Sequence, residues 1–245
     1  MDFQFKSISV EKEHIGIAFC DSKLRLIGYA KKLDQLSKKH ISSQLKSDLS
    51  FLNRKSKQFD YCVIHNPDNL KLSKLYIFKL KDYNNYSIRD FQILGGHLRS
   101  LISFYQEDKV GIYPDGIISK KVSFINGISE MLIGSLLASY KFNKYKKINN
   151  KDNKIKKSSK VKIYSSSHSR LEKNYINVEA VSEGTVLTRN LVTEPPNVMT
   201  PPEIAKNAES LEKIGIKVTI LGEKEMTRLG MGSLLSVGRA SEHES

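Results

Sequence analysis

Cysteine is scarce in this chain: of 245 residues only Cys20 and Cys62 carry a thiol. Both lie in apolar runs, IAFC and YCVIH, where a small thiol packs as core, and there is no C-x-x-C spacing. A disulfide framework and a zinc site are therefore excluded as organising features. No stretch reaches the roughly 18 to 20 consecutive apolar residues that a membrane span requires. The opening MDFQFKSISVEKEH has neither the charged-then-apolar order of a secretion signal nor the Arg-rich, acid-poor character of a transit peptide, so a cytoplasmic location and no membrane partner are expected.

Catalytic signatures are missing as well. H-E-x-x-H, G-x-S-x-G, G-x-x-x-x-G-K-[ST] and G-x-G-x-x-G do not occur. The six histidines, His14, His40, His65, His97, His168 and His243, are far apart in the sequence. His65 closes a strand-like run and reads as structural, and His243 with Glu244 is assigned no metal role near a terminus. Gly95-Gly96 and Asp115-Gly116 read as packing and turn glycines rather than phosphate cradles. No catalytic, metal-ligating or substrate-binding residue is assigned.

Acid is in short supply: 26 Asp and Glu against 40 Lys and Arg give a formal net charge of +14. Such a chain draws phosphate backbones weakly and in a salt-sensitive way. Without a surface of arginines and aromatics it reads no sequence. The densest run, about 144–160, mixes lysine with Asn149, Asn150 and Asn153 and has no helical or strand period. It reads as a solvated surface loop, the sharper alternative being a polybasic tether for nucleic acid or acidic lipid.

What is present suffices for a core, with 39% apolar and 9% aromatic residues. Phe3–Val10 and Ile15–Cys20 read as two neighbouring strands, Lys31–Leu52 as a surface helix with a break near His40, and Phe59–His65 and Lys74–Leu80 as strands joined through the NPDN turn. Ile88–Tyr105 places Phe91, Leu94, Leu98, Leu101 and Ile102 on one helical face, with Gly95-Gly96 allowing close approach. Lys109–Tyr113 is a short strand, Val122–Tyr140 a helix apolar on nearly all sides and hence buried, and Val161–Tyr164 a last short strand. The alternation predicts a three-layer α/β domain with a mixed sheet. Leu171–Leu191 is then a long helix with Val178, Val181, Val186 and Leu191 apolar and Gly184 as its weak point.

The run from Thr188 to Gly238 is the most legible. Pro195-Pro196 stops a helix near Thr193. Thr200 at an N-cap, Pro201 at the first helical position and Glu203 three residues on predict a capping box opening a new helix to about Lys213. Ile204, Ala205, Ala208 and Leu211 share its apolar face, and Gly215 ends it. Ile216–Leu221 alternates as a strand does, and Glu223–Leu229 is a short charged helix closed by Gly230.

TRNLVTEPPNVMTPPE followed by IKVTILGEKEMTRLGMGSLLSVGRAS resembles the junction between the N-terminal and catalytic domains of the leucyl (cytosol) aminopeptidase family. Arg189, Leu191, Glu194, Pro195, Asn197, Thr200, Pro201 and Leu229–Gly232 match the family's pattern, while Asn190, Thr193, Pro196 and Arg239-Ala240 depart from it. EMLIGSLLASYKFNKYKK, from Glu130 to Lys147, is similar to the family's glycine-containing helix and the Tyr-Lys run that closes it. The resemblance implies an N-terminal α/β domain at 1–165, a linker helix at 166–194 and the incomplete start of a catalytic domain at 195–245.

It also implies a metallopeptidase ancestry: a hydrolase removing N-terminal residues from peptides with two divalent cations, manganese or zinc, and assembling as a hexamer. The family's ligand motifs, Gly-Lys-Gly…Phe-Asp and Asn-Thr-Asp-Ala-Glu-Gly-Arg, do not occur in the 245 residues. The expectation is therefore a truncated form that binds no cation and is inactive alone, with peptide as substrate only of the whole enzyme. Its expected partner is a further copy or the missing catalytic half. The alternative is a basic nucleic-acid-binding or interaction module derived from the N-terminal domain. Residues 201–245 are expected to be exposed and loosely packed, with Ile216, Val218 and Ile220 forming an unpaired apolar edge.

Overall fold

Six strands form one mixed sheet in the computed structural model, which describes residues 2–9, 13–48, 59–105, 109–146 and 160–238. The strands are β1 (Asp2–Lys6), β2 (Glu13–Asp21), β3 (Phe59–His65), β4 (Leu72–Leu80), β5 (Lys109–Ile112) and β6 (Lys160–Tyr164). Their order is β1-β6-β5-β2-β4-β3, parallel throughout except that β3 runs antiparallel on β4. The β3–β4 hairpin turns through left-handed Asn66 and Asn69, a conformation short amide side chains tolerate, as the NPDN run predicts. The two N-terminal strands, however, are not neighbours. β1 and β2 point the same way, so no tight turn can pair them; β6 and β5 lie between.

Alternation along the strands feeds two cores. Phe3, Phe5, Ile17, Phe19, Phe78, Val110 and Ile163 face one side, where α3 (Ile88–Tyr105), α4 (Phe124–Ala138) and the first half of α5 (His168–Thr193) cover them. Ala18, Cys20, Cys62, Ile64, Leu75 and Ile77 face the other, under α1 (Ala30–Leu36) and α2 (His40–Ser47). The three-layer α/β architecture is therefore present. The break between α1 and α2 falls at Lys38 and Lys39, both left-handed, and Asp34 bridges it by accepting from the Ser42 amide at 2.8 Å. Of the apolar residues read on that helix, Leu33, Ile41 and Leu45 are buried and Leu36 is exposed. Leu49 and Leu52 lie outside the described residues, as do 147–159 of the lysine-rich run.

Helices α3 and α4 cross at glycines. A Cβ on Gly95 would stand 1.9 Å from the Met131 carbonyl oxygen, and one on Gly134 would stand 2.0 Å from that of Gln92. Backbone-to-backbone packing of this kind leaves no room for any side chain at the crossing. Gln92 Nε2 adds a hydrogen bond to Glu130 Oε2 at 2.7 Å beside it.

The chain divides into two compact units, residues 1–184 and 185–245. Helix α5 is continuous through Gly184 and buries Leu171, Val178 and Ser182. Val181, expected on its apolar face, is exposed, because the buried positions are spaced by seven and four and leave it off that stripe.

In the second unit α6 (Pro201–Glu209) runs into a single 3-10 stretch, Ser210–Ile214, and ends at Gly215 with φ +87°. α7 (Glu223–Arg228) is closed by Gly230 at φ +72°, and α8 (Gly232–Gly238) follows. Thr200 has the extended backbone of an N-cap, but its side chain makes no cap hydrogen bond; Glu203 sits instead 3.8 Å from Lys206, so the expected capping box is absent. The expected strand at 216–221 does not form either, since no described strand offers it a ladder. Among the described residues of this unit, Met226 alone is buried.

Candidate functional site

In an open, largely parallel sheet, ligands favour the carboxyl ends of the strands where consecutive connections leave for opposite faces. Here that point lies between neighbours β2 and β5: the chain leaves β2 for α1 and α2, and leaves β5 for α4 on the other face. Three loops meet there, the turn after β2 (Asp21 to Gly28), the turn after β5 (Tyr113 to Gly116) and the serine run after β6 (Ser165 to Ser167).

The loops close on one another. Gly28 (φ +53°) and Gly116 (φ +92°) bring their backbones into contact: a Cβ on Gly28 would lie 1.5 Å from the Asp115 carbonyl oxygen. The Asp115 carboxylate accepts from Ser165 Oγ at 2.5 Å and from the Ser166 amide at 2.9 Å, while Ser165 Oγ accepts from the Ser167 amide at 3.1 Å. This ties the β5 turn to the start of α5. Below it, Tyr29, Tyr113 and Tyr164 stack with ring centroids 5.5 and 5.1 Å apart.

Asp21 is likewise engaged: Oδ1 accepts from the amides of Lys23 (2.9 Å) and Arg25 (2.8 Å), and Oδ2 from Arg25 Nε at 2.6 Å. Burial pushes its carboxyl upward, but the hydrogen bonds from Arg25 and Lys23 outweigh that, and its pKa lies below the ordinary value. Both carboxylates of the switch point thus hold loops in place. The sequence shows Asp115-Gly116 as a turn but gives no sign of its tie to Ser165, fifty residues away.

Elsewhere the chemistry is dispersed. Among the described residues no group of three or more His, Cys, Asp or Glu side chains is placed to hold a metal ion. His40 Nδ1 lies 3.0 Å from Asp68 Oδ2, linking α2 to the hairpin turn; His65 is exposed at the end of β3; His168 Nδ1 lies 3.3 Å from the Ser165 carbonyl. His97 is exposed on α3, and the desolvation it does undergo lowers its pKa. The side chain of His14 and the whole of His243 lie outside the described residues. Burial first, and then the Asp21 charge, push the Cys20 thiol up to about 12, which keeps it protonated and inert. A shallow groove of about 590 Å³ at the start of α3 is lined by Ser87, Ile88, Arg89, Gln92, Lys121 and Val122. Its cations are Arg89 and Lys121, and its Ser87 hydroxyl is engaged, donating to Asp90 Oδ2 at 2.7 Å.

Residues 186–245 match the family described as "Cytosol aminopeptidase family, catalytic domain". A probable cytosol aminopeptidase of Rhizobium leguminosarum bv. trifolii is 35% identical over 176 residues, covering 71% of this chain and 35% of that protein. One from Brucella anthropi is 42% identical over 115 residues, covering 46% of this chain and 23% of that protein. The chain thus matches about a third or less of the length of these relatives. Among solved structures, a tomato leucine aminopeptidase variant superposes with TM-score 0.67 at 18% identity, over 100% of this chain and 49% of that one. The bottromycin maturation enzyme BotP gives 0.66 at 15% identity, over 95% of this chain and 44% of that one. At these identities the structures establish the shared fold.

Proposed function

We propose, from the kinship of this chain with the cytosol aminopeptidases, that it forms the N-terminal α/β domain and the opening of the catalytic domain of a leucyl-type aminopeptidase. One observation carries the reading: the stretch that matches the family's catalytic domain, 186–245, follows a unit whose fold is that of the leucine aminopeptidases. The reaction would be release of N-terminal residues from peptides, in the cytoplasm, by an assembly of several copies.

Two divalent cations, manganese or zinc, would supply a water of lowered pKa and a Lewis acid for the scissile carbonyl. The residues present do not fit such a pair. Neither ligand motif occurs in the 245 residues, and the two carboxylates at the switch point, Asp21 and Asp115, are occupied by loop amides and hydroxyls. No step is therefore assigned to residues of this polypeptide, which supplies scaffold. Assay of the 245-residue polypeptide on leucine amide with added Mn2+ or Zn2+ tests this. Release of leucine at the rate of a metal-only blank is expected, and metal-dependent turnover by this polypeptide alone would overturn it.

A further inference from the structure

The groove of about 590 Å³ at the start of α3 lies outside the stretch matched to the family's catalytic domain, 186–245. Its walls are built and held. One is formed by Ser87, Ile88, Arg89 and Gln92 at the opening of α3, the other by Lys121 and Val122 in the segment that leads into α4. Two hydrogen bonds lock that segment to the turn before α3: Ser119 Oγ donates to the Tyr86 carbonyl at 2.7 Å, and the Lys120 amide to the Asn84 carbonyl at 2.8 Å. The Lys121 amide in turn donates to Ser119 Oγ at 3.0 Å. Tyr86 packs edge-on against Phe91, and both are buried in the first core. A groove fixed in this way needs little ordering of its own side when something enters.

Its surface is apolar with a positive rim. Ile88 is 51% exposed, Val122 is half-buried against the first core, and Ile118, four residues before Val122, is 63% exposed. Each wall contributes one exposed cation, Arg89 or Lys121, and among the described residues neither forms an ion pair. The acids next to the groove are already engaged. Asp90 Oδ2 accepts from the Ser87 amide at 2.8 Å and from its hydroxyl at 2.7 Å, and Glu130 Oε2 accepts from Gln92 Nε2 at 2.7 Å.

Apolar surface bordered by two unpaired cations is complemented by apolar side chains set between carboxylates. A small carboxylate would leave much of itself in water here, because small-molecule sites enclose most of their ligand and this groove is shallow. A chain segment needs no enclosure, since it can rest one side chain in the groove and continue across the neighbouring surface. We propose that this groove docks an acidic peptide segment of a partner protein, with an aliphatic side chain on Ile88 and Val122 and carboxylates against Arg89 and Lys121. The docking goes beyond the aminopeptidase reading and stands whether or not that reading does.

Titration of the 15N-labelled 245-residue chain with acetyl-Glu-Leu-Glu-Leu-Glu-amide tests it, at about 0.15 M NaCl so that distant exposed charges are largely screened. Saturable amide shifts should centre on Ile88, Gln92 and Val122. Acetyl-Glu-Ser-Glu-Ser-Glu-amide, which has the same charge and no aliphatic side chain, should bind at least about tenfold more weakly. Arg89→Glu, Lys121→Glu and Ile88→Asp should each weaken the leucine peptide by about fivefold or more, whereas Lys146→Glu, on the exposed run after α4, should leave its affinity within about twofold. All four positions are exposed, and an unchanged thermal melt certifies the fold of each variant. Equal binding of the serine peptide, or an equal loss in Lys146→Glu, would reduce the effect to the chain's net charge of +14 and overturn the proposal. So would the absence of saturable shifts at the three amides. Hexanoate bound as tightly as the leucine peptide would make this a small-carboxylate site, and self-association of the free chain that Lys121→Glu abolishes would give the groove to a second copy; either result overturns the peptide docking.

Discussion

Gly95 and Gly134 show how a single missing methyl fixes a distance between helices. An added Cβ at either meets a carbonyl oxygen of the opposite helix at 2.0 Å or less, so α3 and α4 must separate to admit alanine. Overpacking of this kind costs roughly 1–3 kcal/mol, more than alanine's gain of about 1 kcal/mol in helix propensity at Gly95 or Gly134. Gly95→Ala and Gly134→Ala should each lower the urea midpoint. Gly184→Ala, where nothing lies within 4 Å of the new atom, should raise it by the equivalent of about 1 kcal/mol. Asp21 supplies a pH signature. Its folded pKa lies below the unfolded value, so its contribution is present above the unfolded value and is lost as pH falls through the folded one. Acid titration of stability should flatten in Asp21→Asn across that interval, and an unchanged slope would show that the Lys23 and Arg25 bonds contribute nothing.

The same logic extends to connections between elements. Asp115 joins the β5 turn to the start of α5 through the buried Ser165 hydroxyl and the Ser166 amide. Asp115→Ala strands Ser165 and removes an acid from the positive end of a 26-residue helix, so a loss of about 2 kcal/mol is expected in denaturant titration. A loss under about 0.5 kcal/mol would mean that water replaces the carboxylate without cost. That tie was illegible in the sequence because it joins positions fifty apart. Local periodicity marked Leu33, Ile41 and Leu45, the NPDN turn and the glycine stops at Gly215 and Gly230, all of which depend on neighbouring residues alone. It failed where partners decide: β1 and β2 read as adjacent although β6 claims the first, and 216–221 reads as a strand although nothing described pairs with it. The Thr200–Glu203 box failed for a smaller reason, as Lys206 one turn on sits beside the glutamate. Of the candidate site, the absence of ligand motifs was legible outright, whereas the engagement of Asp21 and Asp115 needed the folded loops.

For the molecule as a whole, burial is divided unevenly. The first unit carries two cores across one sheet, while the described part of the second buries Met226 alone. Stability should be divided in the same way, because opening a segment with few buried apolar contacts costs little free energy. Brief digestion with a glutamyl endopeptidase reads this out, since acidic sites lie in both units. Glu209, Glu212, Glu223 and Glu225 are exposed in short helical turns that bury only Met226, whereas Glu130 sits in α4 against α3 and Glu172 in the packed half of α5. Cleavage at the first set should be complete before Glu130 or Glu172 is touched, leaving a fragment that keeps the sheet and its cooperative melting. If 201–238 instead resists as long as the sheet does, the unit is already buried against a partner surface in the isolated chain. Its exposed isoleucines would then be part of an interface between copies.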